Sequence, residues 1–293
     1  MTNRIEGIYA PITTPFEDQN VSLDKLKGNM QKYSQSPLTG YFALGSNGES
    51  KSMTEKEKLG VLETVLAEKA DHQKVMAGAG YESTRQTIAF SKKVAGLGAD
   101  FVSIVTPSYF KKRMTDEALA RHYIEVADAI SIPVLIYNAP GFTGMTVSTG
   151  LVQKVSGHPN IIGMKDSSKG NMAGYMDSGG DNFNILAGTV STLFQALAIG
   201  ATGGVVSLAN AFPDPCCQLY EKYLAGDTDG ARELHWMLYR LNRNVSGSFG
   251  VAGVKYAMEL GGYHGGDPRL PLLPITEAGK VSIREAVEAA GLI

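Results

Sequence analysis

The sequence predicts an α/β fold, a (β/α)8 barrel, on three observations. Short apolar runs alternate with helical stretches, the runs number eight, and after about residue 210 the pattern changes to helices alone. The runs occupy residues 7–12, 40–44, 74–79, 101–105, 134–137, 161–165, 185–187 and 203–207. An open doubly wound sheet is the competing architecture, and a count of eight weighs against it.

The elements follow in order. The first run, Gly7-Ile8-Tyr9-Ala10-Pro11-Ile12, precedes Ser22, a capping residue ahead of Leu23-Asp24-Lys25. The second, Gly40-Tyr41-Phe42-Ala43-Leu44, leads through a glycine-bracketed loop to Thr54 and the helical start Glu55-Lys56-Glu57. Ser83 opens the helix after the third run and Thr115 the helix after the fourth. In the fifth run Val134 and Ile136 are expected under the helices, which turns Leu135 and Tyr137 into the barrel. In the sixth, Ile162 and Met164 take the helix-facing side, which leaves Ile161, Gly163 and Lys165 inward. Tyr137 and Lys165 each end a strand, where barrel enzymes keep their chemistry. The seventh run stops before Gly188 and the eighth reaches Ser207. Residues 1–210 are therefore expected to form the barrel with its active site. Residues 211–293 are expected to form a C-terminal helical region packed on it, with helices over 215–224, 229–244, 253–260 and 282–290.

Composition removes several function classes. The 293 residues carry a formal charge of −2, so no basic excess points to nucleic acid or an anionic membrane. No apolar run approaches the roughly 18 residues of a membrane span, and Met1-Thr2-Asn3-Arg4 opens no apolar signal region, which gives a cytoplasmic expectation. Cys216 and Cys217 are adjacent, a spacing that suits neither a long-range disulfide nor zinc. His72, His122, His158, His235 and His264 are scattered without ligand spacing, so no metal is expected. Gly78-Ala79-Gly80 matches half of a dinucleotide fingerprint, but Ser83 stands where the third glycine belongs, and a tight turn explains the segment as well.

Lys165 is the centre of the chemical reading. A lysine at the interior end of a strand loses hydration, and burial favours the neutral amine that attacks carbonyl carbon. The protonated imine so formed is an electron sink, able to stabilise the enamine left by aldol cleavage. A lone lysine at this position reads more readily as a surface residue just past a strand end, paired with Asp166. Tyr137, at the same end, can shuttle a proton from a substrate hydroxyl, or be a core aromatic with its hydroxyl on a carbonyl. The loop Gly45-Ser46-Asn47-Gly48-Glu49 offers amides, the Ser46 hydroxyl and the Asn47 amide to a small carboxylate, or is a plain turn with a capping serine.

Four segments then occur in register: Gly45-Ser46-Asn47-Gly48-Glu49, Val105-Thr106-Pro107-Ser108-Tyr109, Tyr137-Asn138-Ala139-Pro140 and Gly163-Met164-Lys165-Asp166. Together they closely resemble the dihydrodipicolinate synthase and N-acetylneuraminate lyase family of class I aldolases. The likeness runs from about Ile8 to Pro268-Arg269-Leu270-Pro271-Leu272. It implies that Lys165 forms a Schiff base with no further cofactor, that Tyr137 shuttles protons, and that Ser46 and Asn47 hold the pyruvyl carboxylate. It implies that Tyr109 crosses a dimer interface to complete a neighbour's proton relay, in a homo-oligomer built as a dimer of dimers. The partners implied are pyruvate and a small aldehyde or 2-oxo acid.

Departures from the family's patterns bear on substrate. Dihydrodipicolinate synthases carry an arginine after the Tyr-Asn-x-Pro motif, where this chain has Phe142, and a phenyl ring cannot grip a second carboxylate. Sialic acid lyases carry an acidic pair where Thr189, Val190 and Ser191 follow Gly188 here. The Ser46-Asn47 form of the loop, the segment from His158 to Ser167 and Leu186-Ala187-Gly188 look most like 4-hydroxy-2-oxoglutarate aldolases, which yield pyruvate and glyoxylate. Ser167, Ser168 and Asn210 are candidates for the distal carboxylate. A 2-keto-3-deoxy sugar acid aldolase, with Thr189, Ser191 and Ser207 binding the tail, is the alternative. A non-catalytic regulator that binds an oxo acid is the reading from outside enzymology.

Overall fold

The computed structural model describes residues 4–168 and 170–293. Each of the eight runs forms a strand: β1 (Gly7–Ala10), β4 (Gly40–Ala43), β5 (Lys74–Gly78), β6 (Phe101–Val105), β7 (Val134–Asn138), β8 (Ile161–Asp166), β9 (Asn184–Ala187) and β10 (Gly203–Val205). They close into a barrel in the order β1-β10-β9-β8-β7-β6-β5-β4. Pairing is parallel from β5 to β10 and between β1 and β4. The sequence reading missed β2 (Phe16–Glu17) and β3 (Asn20–Val21), an antiparallel hairpin of two-residue strands. Asp18 and Gln19 turn it with φ of 48° and 66°, a left-handed pair that no glycine announces.

Packing gathers the chain into two compact units, one containing Met76–Gly204, the other Gly7–Val75 with Val205–Ile293. In the first, Val102, Ile104, Val134, Leu135, Ile136, Met164, Ile185 and Leu186 are buried along β6 to β9. Their near-continuous apolar run is what a parallel sheet covered on both faces requires. A side chain at Gly163 would place its Cβ 2.1 Å from the Asn184 carbonyl oxygen, so glycine lets β8 and β9 approach. The returning helices include Thr84–Leu97 and Asp116–Ala129, capped by Ser83 and Thr115, which accept from the Gln86 and Ala118 amides.

In the second unit Thr54 and Glu57 form a reciprocal capping box at the start of the helix Glu55–Glu68. Ser22 caps differently: its hydroxyl donates to Glu17 Oε2 in the hairpin. Four helices follow the last strand: Pro213–Leu224, Thr228–Asn242, Ser248–Leu260 and Glu277–Ala289. The first packs on β1 and on the second, and the third packs on the fourth. A π-turn at Arg243–Gly247 joins the second and third, and Gly250, with φ 56° and ψ −141°, kinks the third. Among the described residues no helix is long and apolar enough to cross a membrane.

Candidate active site

Strand register brings the two central side chains together. β7 and β8 run side by side with Tyr137 opposite Lys165 and Asn138 opposite Asp166, and partners in register on parallel strands share a face. Lys165 is 4% exposed and Tyr137 5% exposed, with the ammonium nitrogen 4.2 Å from the centre of the phenol ring. The amine thus sits over an electron-rich ring that attracts its cationic form.

The next residue on each strand forms a buried polar support that the sequence reading passed over. Asn138 Nδ2 donates to Asp166 Oδ1 (2.8 Å) and to the Tyr175 hydroxyl (3.1 Å), while Asn138 Oδ1 accepts from the Val147 amide. Tyr175 donates in turn to the Val147 carbonyl at 2.6 Å, and Asp166 Oδ1 also accepts from the Ser168 amide. A fully bonded network of this kind fixes the strand ends that carry Tyr137 and Lys165. Its signal in the sequence was an Asn and an Asp directly after Tyr137 and Lys165.

Ser167 and Gly188 meet just beyond the ends of β8 and β9. The Gly188 amide donates to the Asp166 carbonyl at 2.7 Å, and a Cβ there would stand 2.1 Å from Ser167 Oγ. Ser168 Oγ is buried without a hydrogen-bond partner among the described residues. Phe142 lies on the one-turn helix Pro140–Thr143 and is 74% exposed, so it stands in solvent. Tyr109 is 80% exposed and packs edge-on against the exposed Phe110 at 5.0 Å, on a loop whose Ser108 and Tyr109 amides both donate to Glu82 Oε2. The fold therefore gathers Lys165, Tyr137, Ser167 and Gly188 at neighbouring strand ends and leaves Tyr109 and Phe142 at the surface.

In the second unit the loop after β4 holds Ser46 and Asn47 between two left-handed residues, Leu44 (φ 60°) and Glu49 (φ 52°). Each such conformation costs a residue with a side chain about 1–2 kcal/mol, so the loop is held by something else. Asn47 Nδ2 donates to Ser207 Oγ at 2.8 Å, Thr14 donates to the Gly48 carbonyl at 2.8 Å, and a Cβ on Gly48 would stand 2.9 Å from the Ile12 carbonyl oxygen. The Glu49 side chain turns into the protein: Oε1 is 2.8 Å from Lys255 Nζ, and Oε2 accepts from the Arg269 amide at 2.8 Å. Burial pushes the Lys255 amine down from its ordinary value and the Glu49 carboxylate opposes that shift. Among the described residues no group of three or more His, Cys, Asp or Glu is placed to hold a metal ion.

The model of the dihydrodipicolinate synthetase family matches residues 4–290. The chain belongs to this family. The 4-hydroxy-tetrahydrodipicolinate synthase of Geobacter metallireducens is 31% identical over 290 residues, covering 98% of this chain and 99% of that protein. A dihydrodipicolinate synthase crystal structure matches with a TM-score of 0.92 at 28% identity, over 99% of this chain and 100% of that one. A second solved structure, described as the first monomeric dihydrodipicolinate synthase variant, matches with a TM-score of 0.93 at 26% identity, over 100% of this chain and 98% of that one. As a member of the dihydrodipicolinate synthetase family, the chain is an enzyme, a carbon–carbon lyase of the class I, pyruvate-dependent aldolase type. That class works through a lysine Schiff base.

Proposed function

We propose that this enzyme cleaves 4-hydroxy-2-oxoglutarate to pyruvate and glyoxylate, with Lys165 as the Schiff-base residue. The observation that carries the catalytic part is the buried Lys165–Tyr137 pair, 4.2 Å apart at adjacent strand ends. The Lys165 amine adds to the C2 ketone and loss of water gives the imine. Having given its phenol proton to the departing water, Tyr137 accepts the proton of the C4 hydroxyl, the C3–C4 bond breaks, glyoxylate leaves, and the electron pair enters the protonated imine to give an enamine. Protonation at C3 and hydrolysis release pyruvate and return Lys165. Ser46 and Asn47 hold the C1 carboxylate, with the Asn47 amide oriented by Ser207.

The choice of substrate rests on what replaces a distal cation. Phe142 stands where dihydrodipicolinate synthases have their arginine, while the buried Ser168 hydroxyl, unpartnered among the described residues, and the neighbouring Ser167 offer donors to a short second carboxylate. The names of the curated relatives support a rival reading, condensation of pyruvate with aspartate semialdehyde. Tyr109 belongs to a second subunit's relay in this proposal, and the exposed Tyr109–Phe110 pair supplies the aromatic surface on which two copies would meet in a dimer of dimers. A panel assay decides: pyruvate with glyoxylate, aspartate semialdehyde, glyceraldehyde or N-acetylmannosamine, scored by product. Glyoxylate should give the highest kcat/KM; preference for aspartate semialdehyde would transfer the enzyme to the rival reading.

A further inference from the structure

Among the described residues, the most heavily buried charge lies outside the reactive cluster. Lys255, on the helix Ser248–Leu260, is 0% exposed, and Glu49 is 5% exposed. Besides Glu49 Oε1, the Lys255 amine meets the Asp267 carbonyl at 3.0 Å and lies 4.5 Å from the centre of the Phe16 ring. Glu49 Oε2 takes the Arg269 amide, and the Arg269 guanidinium donates to the Gln19 carbonyl from Nη2 (2.5 Å) and Nε (2.8 Å), to the Ser52 carbonyl at 2.8 Å and to Glu57 Oε1 at 2.6 Å. Both carboxylate oxygens of Glu49 are therefore engaged by the C-terminal region. The backbone of the same residue closes the Ser46–Asn47 loop, through its amide on the Ser46 carbonyl at 3.1 Å.

A buried ion pair is weak evidence for stability, since well-packed apolar residues often replace one without loss. Its attested use is to fix one conformation among several, and this loop, with Leu44 and Glu49 both left-handed, needs such a device. We infer that Lys255 is a positioning residue for the reaction: through Glu49 it pins the Ser46–Asn47 loop in the one geometry that receives the substrate's carboxylate. The inference rests on the assignment of that loop to the carboxylate and of Lys165 to the imine. It gives the third C-terminal helix a part in substrate binding that helical packing alone does not call for.

The test is the pyruvate concentration that half-saturates borohydride-trapped adduct on Lys165, measured beside thermal melting in wild type, Lys255→Met, Glu49→Gln and Lys255→Met/Glu49→Gln. Wild type forming no adduct would sink the Schiff-base assignment itself; once it does form, the variants speak only to the pin. Lys255→Met leaves a buried carboxylate unpaired and should melt lower, whereas the double variant should recover most of the melting temperature. In both, half-saturation should rise about tenfold or more while the adduct yield at saturating pyruvate stays near wild type. Glu49→Gln, which keeps the shape and one accepting oxygen for Lys255 but turns the other into an NH2 facing the Arg269 amide, should shift it by an intermediate amount, about threefold. A merely structural role would make half-saturation follow melting temperature. A folded double variant with wild-type half-saturation would overturn the inference, and so would a double variant that cannot fold, since the pair would then serve the scaffold rather than the loop.

Discussion

The strand ends that carry Tyr137 and Lys165 and the loop that carries Ser46 and Asn47 are held by opposite means. At the first, two neighbouring parallel strands set the register, Tyr137 opposite Lys165, and short-range hydrogen bonds through Asn138 and Asp166 finish the work. At the second, the backbone adopts left-handed turns and is held from more than 200 residues away, by Lys255 and Arg269 on Glu49. Side chains placed by sheet register are robust because moving one means moving a whole strand. A loop placed by buried charge is adjustable, and sensitive to anything that removes the charge.

Substitutions can break this contrast. The largest effect belongs to Lys165→Ala, which should abolish turnover while circular dichroism and melting stay close to wild type, because register and not the amine holds the strand ends. Tyr137→Phe keeps the ring beside Lys165 and removes only the phenol hydroxyl. It should lower kcat by about 10²–10⁴-fold in steady-state assays. Gly188→Ala forces a methyl group to within 2.1 Å of Ser167 Oγ and 2.6 Å of the Asp166 carbonyl. The ends of β8 and β9 must separate, at a cost of about 1–3 kcal/mol by chemical denaturation, with a fall in kcat. Unchanged kinetics in that variant would show that the strand ends tolerate more movement than register implies.

Acid sharpens the comparison with smaller effects. Hydrogen bonding to Arg269 holds the Glu57 carboxyl down at about 2, from an ordinary 4.5. Its contribution is complete above the ordinary value and is lost as pH falls from 4.5 towards 2, so melting in that window should decline, and Arg269→Ala should flatten the decline. In the register-held unit, burial pushes His122 down to about 4 from 6.5, with its ring on the Thr84 hydroxyl at 2.9 Å. The folded ring stays neutral where the unfolded one takes a proton, so stability should fall as pH drops from 6.5 to 4. His122→Gln should remove that slope and nothing else.

The barrel was legible in the sequence because parallel strands buried on both faces write themselves as apolar runs, and the caps Thr54, Ser83 and Thr115 act as expected. Lys165 and Tyr137 were legible for a related reason: alternation along a strand assigns faces. The hairpin at Phe16–Glu17 was not, since two-residue strands have no period to detect. The C-terminal helices were found but trimmed at their starts. Pro213 opens the first, as proline can in the first turn, Gly250 and Gly253 obscured the start of the third, and Thr276 capping the Gly279 amide begins the fourth earlier than its apolar pattern does. Glu49 read only as the last letter of a glycine loop and Lys255 as one lysine in a helix. Their meeting depends on the tertiary fold, which no local pattern encodes.

Catalysis in this class depends first on a covalent bond at one amine. Incubation with pyruvate and sodium borohydride, followed by digestion and mass spectrometry, should find one reduced pyruvyl group on the peptide containing Lys165 and none in Lys165→Ala. An unmodified Lys165 peptide in enzyme that turns over substrate, or an adduct on another lysine, would contradict it.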